Sequence, residues 1–154
     1  MKQRIYIDTS VVGGYFDEEF KEATNKLFDR LFNDEIKFVV SDLLDLELLK
    51  APPYVKEHLL KYSPDKFERV ELTAEAIQLA DTYIAEKVVG KTSVEDCRHI
   101  ALATINKVDV LASWNFKHIV NLERIKGYNS VNLRQGYSII EIRSLKDLVK
   151  YGDD

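Results

Sequence analysis

The sequence predicts an α/β fold, a three-layer α/β/α sandwich with a mainly parallel central sheet. Short apolar runs alternate along the chain with longer segments of helical periodicity, and this alternation is typical of crossovers between parallel strands. The 154 residues, 45% hydrophobic and 31% charged, suit one globular domain, which we expect to span residues 1–154. No repeat, low-complexity tract or Gly/Ser linker divides the sequence.

The first half of the chain predicts two strands and three helices. The strands are short apolar runs, at 4–8 and at 36–41 (IKFVVS). Each predicted helix has helical periodicity or a good start signal, such as the prolines Pro52 and Pro53 at the first helical positions. The predicted helices cover residues 20–33, 42–50 and 52–62.

The second half continues the alternation. A short extended segment, FERVEL at 67–72, precedes a helix over 73–88 that Gly90 ends. Three further helical segments and two strands complete the prediction. The helices cover 93–107, 116–125 and a short terminal stretch, and the strands cover 108–113 (VDVLAS) and 138–143 (SIIEIR).

Charge and composition exclude some classes of protein. The net charge of −4 argues against a chain that binds nucleic acid over its whole surface. Basic residues nevertheless outnumber acidic ones between Trp114 and Lys150, an asymmetry found on solvated surfaces and also on phosphate-binding rims. No apolar run approaches the roughly 20 residues of a membrane helix, and a single cysteine, Cys97, suits a reducing compartment. We expect a cytoplasmic protein without membrane contact.

Asp8 ends the first apolar run, in the stretch RIYIDTSVVGGYF. Ligands of open parallel sheets gather beyond the carboxyl ends of the strands, which is where Asp8 is expected. A simpler interpretation is a turn in which the Asp8 side chain accepts from the N–H of Ser10 or Val11. Gly13 and Gly14 would allow a tight loop beside it.

Glu47 is the second candidate, in SDLLDLELLKAP. Leu43 and Leu44 precede it by four and three residues, so on a helix its carboxylate projects from a leucine-rich side. Buried acids are rare unless they are paired or bound to metal. The alternative is an exposed acid at the rim of the core.

Asp96 and Asn115 are the third and fourth candidates. Asp96 shares a helix face with Ile100 and Ala103, although a capping box with Ser93 as N-cap would also explain its position. Asn115 follows the strand at 108–113 and is itself a good N-cap. His99, one turn after Asp96, is expected to be a core or site-supporting residue rather than a zinc ligand.

These four residues map to one edge of the predicted sheet. Three acids converging there repel one another unless a hard cation neutralises them. Carboxylates with open water positions suit Mg²⁺ or Mn²⁺, which activate water and offset charge in phosphodiester hydrolysis. We expect Asp8, Glu47, Asp96 and Asn115 to form such a site.

In these motifs the sequence resembles the PIN-domain nucleases, and especially the small VapC-like single-domain members. The resemblance runs through YIDTSVV, SDLLDLELLKAP, SVEDCRHIALA and DVLASWNFKHIV, in order and over nearly the whole chain. It implies that Asp8, Glu47 and Asp96 are metal ligands and that Ser10 hydrogen-bonds within the site. The family often has an Asp where Asn115 stands, so the resemblance implies a site with one negative charge fewer.

The resemblance further implies a metal-dependent ribonuclease, and many VapC-like proteins are homodimeric toxins paired with a small antitoxin. Lys117, Arg124 or Arg134 would then position the RNA backbone. Two alternatives stay open. A haloacid-dehalogenase-type phosphatase would need a second Asp at the position of Ser10. A catalytically weak or inactive PIN-like module that binds RNA or a protein is the other, and Asn115 favours it.

Overall fold

A computed structural model of the protein describes residues 2–149, in which five parallel strands form one sheet. The strands are β1 (Gln3–Ile7), β2 (Ile36–Ser41), β3 (Phe67–Val70), β4 (Val110–Ala112) and β5 (Ile142–Arg143). Their order in the sheet is β3-β2-β1-β4-β5. The predicted domain limits at residues 1 and 154 lie outside the described residues.

Seven α-helices cover the two faces of this sheet in the described range. They are α1 (Thr9–Gly14), α2 (Lys21–Phe32), α3 (Asp42–Lys50), α4 (Pro53–Leu60), α5 (Ala74–Ala85), α6 (Val94–Ile105) and α7 (Leu122–Arg134). Short 3-10 turns add Pro64–Lys66, Lys91–Ser93 and Leu145–Asp147. None of the helices in residues 2–149 has the length and hydropathy needed to cross a bilayer.

The strands divide the apolar side chains between two cores. Ile5 and Ile7 of β1 pack with side chains of α1 to α4, whereas Tyr6 packs with side chains of α5 to α7. Successive residues of a strand face opposite sides of the sheet, so a strand buried on both faces is apolar throughout. The predicted α/β/α sandwich with a parallel sheet is confirmed.

The chain reverses direction across the sheet at β1. It proceeds from β1 through β2 to β3, and then returns to add β4 on the other side of β1. Such a reversal leaves a crevice at the carboxyl ends of the two strands that flank it. Asp8 follows β1 and Ser113 follows β4, so both residues lie at this crevice.

The helix predicted over 116–125 is confirmed only from residue 122 onward, and its first part is wrong. Asn115 closes a turn there, since its side-chain oxygen accepts from the N–H groups of Lys117 and His118. Asn121 is extended and caps α7 by accepting from Arg124 N, so the helix begins at Leu122. The helix continues past 125 through Gly127, a residue that usually disfavours helices. A Cβ there would lie 2.7 Å from Val88 Cγ1, so α7 needs glycine at this position to pack against Val88, which follows α5.

Two further expectations need correction. The last strand is limited to Ile142–Arg143, and only the 3-10 turn Leu145–Asp147 follows it within the described residues. Residues 9–14 form α1 and not a tight loop. Gly14 is instead a contact point, because a Cβ there would lie 2.6 Å from Trp114 Nε1.

Candidate active site

Asp8 is held rigidly at the crevice by two serine hydroxyls. Its side chain is 5% exposed, Oδ1 accepts from Ser10 Oγ at 2.6 Å, and Oδ2 accepts from Ser113 Oγ at 2.6 Å. The turn interpretation is wrong, since the Asp8 side chain makes no capping bond to α1. Burial raises the pKa of Asp8, and the charge of Glu47 adds to that rise, although His99 and the two serines oppose it.

Glu47 reaches the same edge from α3. Its Oε1 accepts from Thr9 Oγ1 at 2.5 Å and from His99 Nε2 at 2.6 Å, and 18% of its side chain is exposed. Burial works to raise the pKa of Glu47, but the hydrogen bond and charge of His99, together with Thr9, outweigh burial and lower it. Glu47 is therefore an inward-bonded carboxylate and not a freely solvated acid at the rim.

A buried series of polar groups continues from His99 into the core. The Tyr6 hydroxyl lies 2.6 Å from His99 Nδ1 and 3.0 Å from Ser41 Oγ. Ser41 Oγ also accepts from Leu44 N at 3.1 Å, which makes it the N-cap of α3. Burial raises the pKa of Tyr6 far above its usual range, so its hydroxyl stays protonated. The series begins at Ser41, which caps the helix that carries Glu47. It continues through Tyr6 to His99, which hydrogen-bonds to the Glu47 carboxylate.

Asp96 lies in the first turn of α6 and is partly buried. Burial raises its pKa, the negative charges of Asp8 and Glu47 raise it further, and His118 and His99 oppose that rise. The predicted capping box is wrong, because Ser93 belongs to a 3-10 turn and its side chain makes no capping bond. Asp96 therefore has no capping role to account for its position.

The loop after β4 carries Asn115 and Lys117. Both hydrogen bonds that Asn115 Oδ1 accepts come from the loop itself, from Lys117 N at 3.2 Å and His118 N at 3.0 Å. Its backbone N–H donates to Ser113 Oγ at 2.9 Å. A carbonyl oxygen has two lone pairs, so contact between Oδ1 and a cation would replace one of these bonds. Asn115 shapes the loop that presents Ser113 to Asp8.

The three predicted RNA contacts lie in different surroundings. Lys117 is exposed in the loop beside the site. Arg124 donates to the carbonyl of Val88, and Arg134 forms an ion pair with Glu86. α7 connects the carboxyl edge of β4 to the amino edge of β5. Arg134 is its last residue and lies about 20 Å along the helix from its start. The fold thus brings Lys117 to the crevice and Arg134 to the opposite edge.

Sequence reasoning missed several groups of this site. Thr9 and Ser113 each donate to a carboxylate, and the Glu95 carboxyl group contributes to lowering the pKa of Glu47. Ser113 directly follows β4, and Thr9 comes two residues after the last residue of β1; these positions are the signal that could have found them. A cavity of about 320 Å³ also opens beside Glu47, with Lys50 and Arg98 among its lining residues.

The donor chemistry suits a hard cation in an open site. Within residues 2–149, no group of three or more His, Cys, Asp or Glu side chains is arranged to enclose a metal ion. Mg²⁺, however, is usually held by one or two carboxylates, with waters and substrate phosphates as its other ligands. Asp8, Glu47 and Asp96 are mutually repelling carboxyl groups at one crevice, and such a set fits that kind of binding.

Comparison with known proteins gives matches among solved structures. No family model matches the chain, and no curated protein matches its sequence. DNA-bound VapBC from Salmonella typhimurium matches at 15% identity over 94% of this chain and 99% of that chain, with a TM-score of 0.58. VapBC2 from Rickettsia felis, bound to a promoter DNA fragment, matches at 13% over 92% and 98%, with a TM-score of 0.59.

A toxin–antitoxin complex from Klebsiella pneumoniae matches at 14% identity over 73% of this chain and 88% of that chain, with a TM-score of 0.54. At these identities the likeness concerns the fold. It agrees with the resemblance carried by the sequence motifs between Asp8 and the loop after β4. The chain therefore has the fold of the VapC-like PIN-domain proteins, as its motifs predict.

Proposed function

We propose that the protein is a divalent-metal-dependent endoribonuclease that hydrolyses phosphodiester bonds of RNA. The observation that carries the proposal is the convergence of Asp8, Glu47 and Asp96, from three different elements, on the crevice beside β1. Burial and neighbouring negative charge raise the pKa of Asp8 and of Asp96, which is costly for the fold and favours a functional reason for keeping these acids together.

Mg²⁺ or Mn²⁺, when bound by these acids, would supply an activated water and offset negative charge on the phosphate. The protein's own part is to hold the carboxylates. Ser10 and Ser113 orient both oxygens of Asp8, and Thr9 and His99 orient Glu47. Rigid placement of this kind is what a site for in-line attack needs, because small displacements of reacting groups are expensive.

Basic side chains near the crevice would position the RNA backbone. Candidates are Lys117, in the loop after β4, and Lys50 and Arg98, which line a cavity with Glu47. Arg124 remains a candidate at the start of α7. Arg134 would contact RNA only if the bound RNA strand extended to the opposite edge of the β-sheet.

The protein would act as the toxin of a toxin–antitoxin pair, in the cytoplasm and as a homodimer. Support for the pairing with an antitoxin comes from the solved structures that share its fold, which include a toxin–antitoxin complex and DNA-bound VapBC complexes. A small antitoxin protein would then be its partner. Co-expression with the product of an adjacent small gene, followed by purification of the pair, tests this part of the proposal.

The first experiment measures the melting temperature of wild type, Asp8→Asn and Asp96→Asn in titrations with Mn²⁺ and Mg²⁺. Saturable stabilisation of the wild type that both variants lack is the expected result, because only the native acids offer charged ligands. Cleavage of a mixed RNA pool should then require the metal and stop in Asp8→Asn. A wild-type rate of cleavage in folded Asp8→Asn would overturn the proposal.

A second candidate function is a non-catalytic PIN-like module that binds RNA or a protein partner. The observation in its favour is Asn115, which adds no charge to the site and whose side-chain oxygen is engaged by its own loop. RNA binding without metal-dependent turnover would distinguish this module from the nuclease.

A further inference from the structure

We propose that His99 is a positioning residue that fixes the Glu47 carboxylate for metal binding. This inference rests on the proposed function. It assigns a role to a histidine that is not itself one of the proposed metal ligands. His99 is 2% exposed, and both of its ring nitrogens have partners 2.6 Å away, Glu47 Oε1 at Nε2 and the Tyr6 hydroxyl at Nδ1. The imidazole is therefore held at both ends.

The direction of the hydrogen bond to Glu47 follows from counting hydrogens. The Tyr6 hydroxyl has one hydrogen, so it donates either to Ser41 Oγ or to His99 Nδ1. A carboxylate, the form in which Glu47 would bind a cation, can only accept a hydrogen bond. In both arrangements of Tyr6, His99 Nε2 carries the hydrogen that Glu47 Oε1 accepts.

The bonds to Glu47 are unequally distributed over its two oxygens. Thr9 Oγ1 and His99 Nε2 both donate to Oε1, which fills the two lone pairs of that atom. Oε2 takes neither of these two bonds and is the oxygen through which Glu47 would hold a cation, and 18% of the side chain is still exposed. Without these donors the glutamate side chain would have to lose rotamer freedom on binding metal, at a cost to affinity.

The hydrogen-bond series that ends at His99 and Glu47 starts from the sheet itself. Tyr6 lies on β1 and Ser41 ends β2, so the series is anchored in the sheet, and Glu47 is carried by a helix that Ser41 caps. The same strand, β1, presents Asp8 at its end. The series thus fixes the position of Glu47 relative to Asp8. Asp8 follows β1, and Glu47 lies on α3, the helix that follows β2.

The test measures Mn²⁺ affinity by isothermal titration calorimetry on the full-length, metal-free protein without substrate. His99→Leu removes the donor and keeps an apolar side chain in the core, whereas His99→Gln retains an amide N–H near the position of Nε2. We expect His99→Leu to weaken Mn²⁺ binding by about 10- to 100-fold, as loss of an outer partner of a metal ligand usually does. His99→Gln should restore most of that affinity.

Further variants separate the possible failures. Thr9→Val removes the second donor to the same oxygen from a partly exposed helix, and should weaken binding even if His99→Leu does not fold. Unchanged affinity in folded His99→Leu, or in Thr9→Val, overturns the inference and leaves the proposed function standing. Equal losses in His99→Gln and His99→Leu would indicate packing rather than hydrogen bonding and would also overturn it. A wild type that binds no Mn²⁺, or no better than Asp8→Asn, overturns the proposed function itself.

Discussion

Ser113 Oγ donates to Asp8 Oδ2 at 2.6 Å, across a sequence separation of 105 residues. The bond joins the carboxyl ends of β1 and β4, the two strands between which the chain reverses direction. Ser10 completes the arrangement, since its hydroxyl bonds to Asp8 Oδ1 and also accepts from Trp114 N at 2.9 Å. The acid at the centre of the candidate site is therefore also a structural bridge between two strand ends.

Ser113→Ala should lower the free energy of unfolding by about 1–3 kcal/mol, because a buried carboxylate loses a donor. The substitution also removes the acceptor for Asn115 N, so the loop after β4 should loosen. Denaturant unfolding of the metal-free protein measures the loss. Ser138→Ala, at an exposed position, is the matched control and should change the free energy of unfolding little. Equal stability of Ser113→Ala and wild type would contradict the bridge.

Asp96→Asn should raise the melting temperature of the metal-free protein at pH 7 by about 2–4 °C. Burial and the charge of Asp8 raise the pKa of Asp96, so at pH 7 its ionised form destabilises the folded state. Asparagine removes that charge. The difference in melting temperature between the two proteins should shrink as the pH falls below the range in which Asp96 takes up its proton, because the Asp96 side chain is then uncharged in the wild type as well.

Scanning calorimetry from pH 7 down to pH 4 measures this trend. With saturating Mn²⁺ the order should reverse, since only the wild type gains the full binding energy of the cation. A variant that melts lower than wild type without metal would mean that Asp96 is stabilised by its surroundings rather than repelled by the neighbouring acids.

The strands and most helices of this chain could be predicted because their signals are local. Residues 36–41 form a short apolar run, and β2 occupies the same residues. The loop after β4 could not be predicted in detail, since Asn115 and Asn121 are equally good caps and only packing decides which begins a helix. Gly127 locally disfavours a helix, although the packing of α7 against Val88 requires glycine at that position.

The candidate site was only partly predictable for a similar reason. Asp8 and Glu47 are charged residues beside apolar runs, so the sequence itself marks them as unusual. The groups that hold them carry no comparable signal in the sequence. Thr9, Ser113 and His99 become recognisable only when the sheet order brings residues from distant parts of the chain together.

His58 should make the protein less stable as the pH falls from about 7 to about 4. The side chain is 3% exposed, neither ring nitrogen has a hydrogen-bond partner among the described residues, and Tyr15 stacks on the ring at 3.7 Å. Burial, with a contribution from the charge of Lys61, lowers the pKa of His58 to about 4. In the unfolded chain His58 binds a proton near pH 6.5, whereas in the folded protein it does so only near pH 4. Proton binding to the unfolded chain therefore destabilises the folded state as the pH falls below about 6.5.

The loss from this group should be complete near pH 4 and amount to about 1–3 kcal/mol. His58→Phe keeps an aromatic ring among Tyr15 and Phe28 and removes the titration. The free energy of unfolding, measured by denaturant at pH 7, 6, 5 and 4, should therefore fall more steeply in wild type than in His58→Phe. Parallel pH profiles for the two proteins would exclude His58 as the titrating group.

Gly14→Ala and Gly13→Ala should have opposite effects, although the two glycines are adjacent in α1. A Cβ at Gly14 would lie 2.6 Å from Trp114 Nε1 and 2.8 Å from Thr24 Oγ1, two atoms that hydrogen-bond to each other at 2.9 Å. Both partners are buried, so the indole would have to shift, and Gly14→Ala should cost about 1–3 kcal/mol.

At Gly13 a Cβ would meet nothing within 4 Å, and the backbone is helical there. Alanine should thus leave stability unchanged or raise it by up to about 1 kcal/mol. Tryptophan fluorescence provides a direct readout, since Trp114 is the single tryptophan: its emission should change in Gly14→Ala and not in Gly13→Ala. The shift should also weaken metal binding in Gly14→Ala alone, because Trp114 N donates to Ser10 Oγ, which holds Asp8. Equal stability and equal emission in the two variants would mean that the Trp114 side chain does not need glycine at position 14 in order to pack in the core.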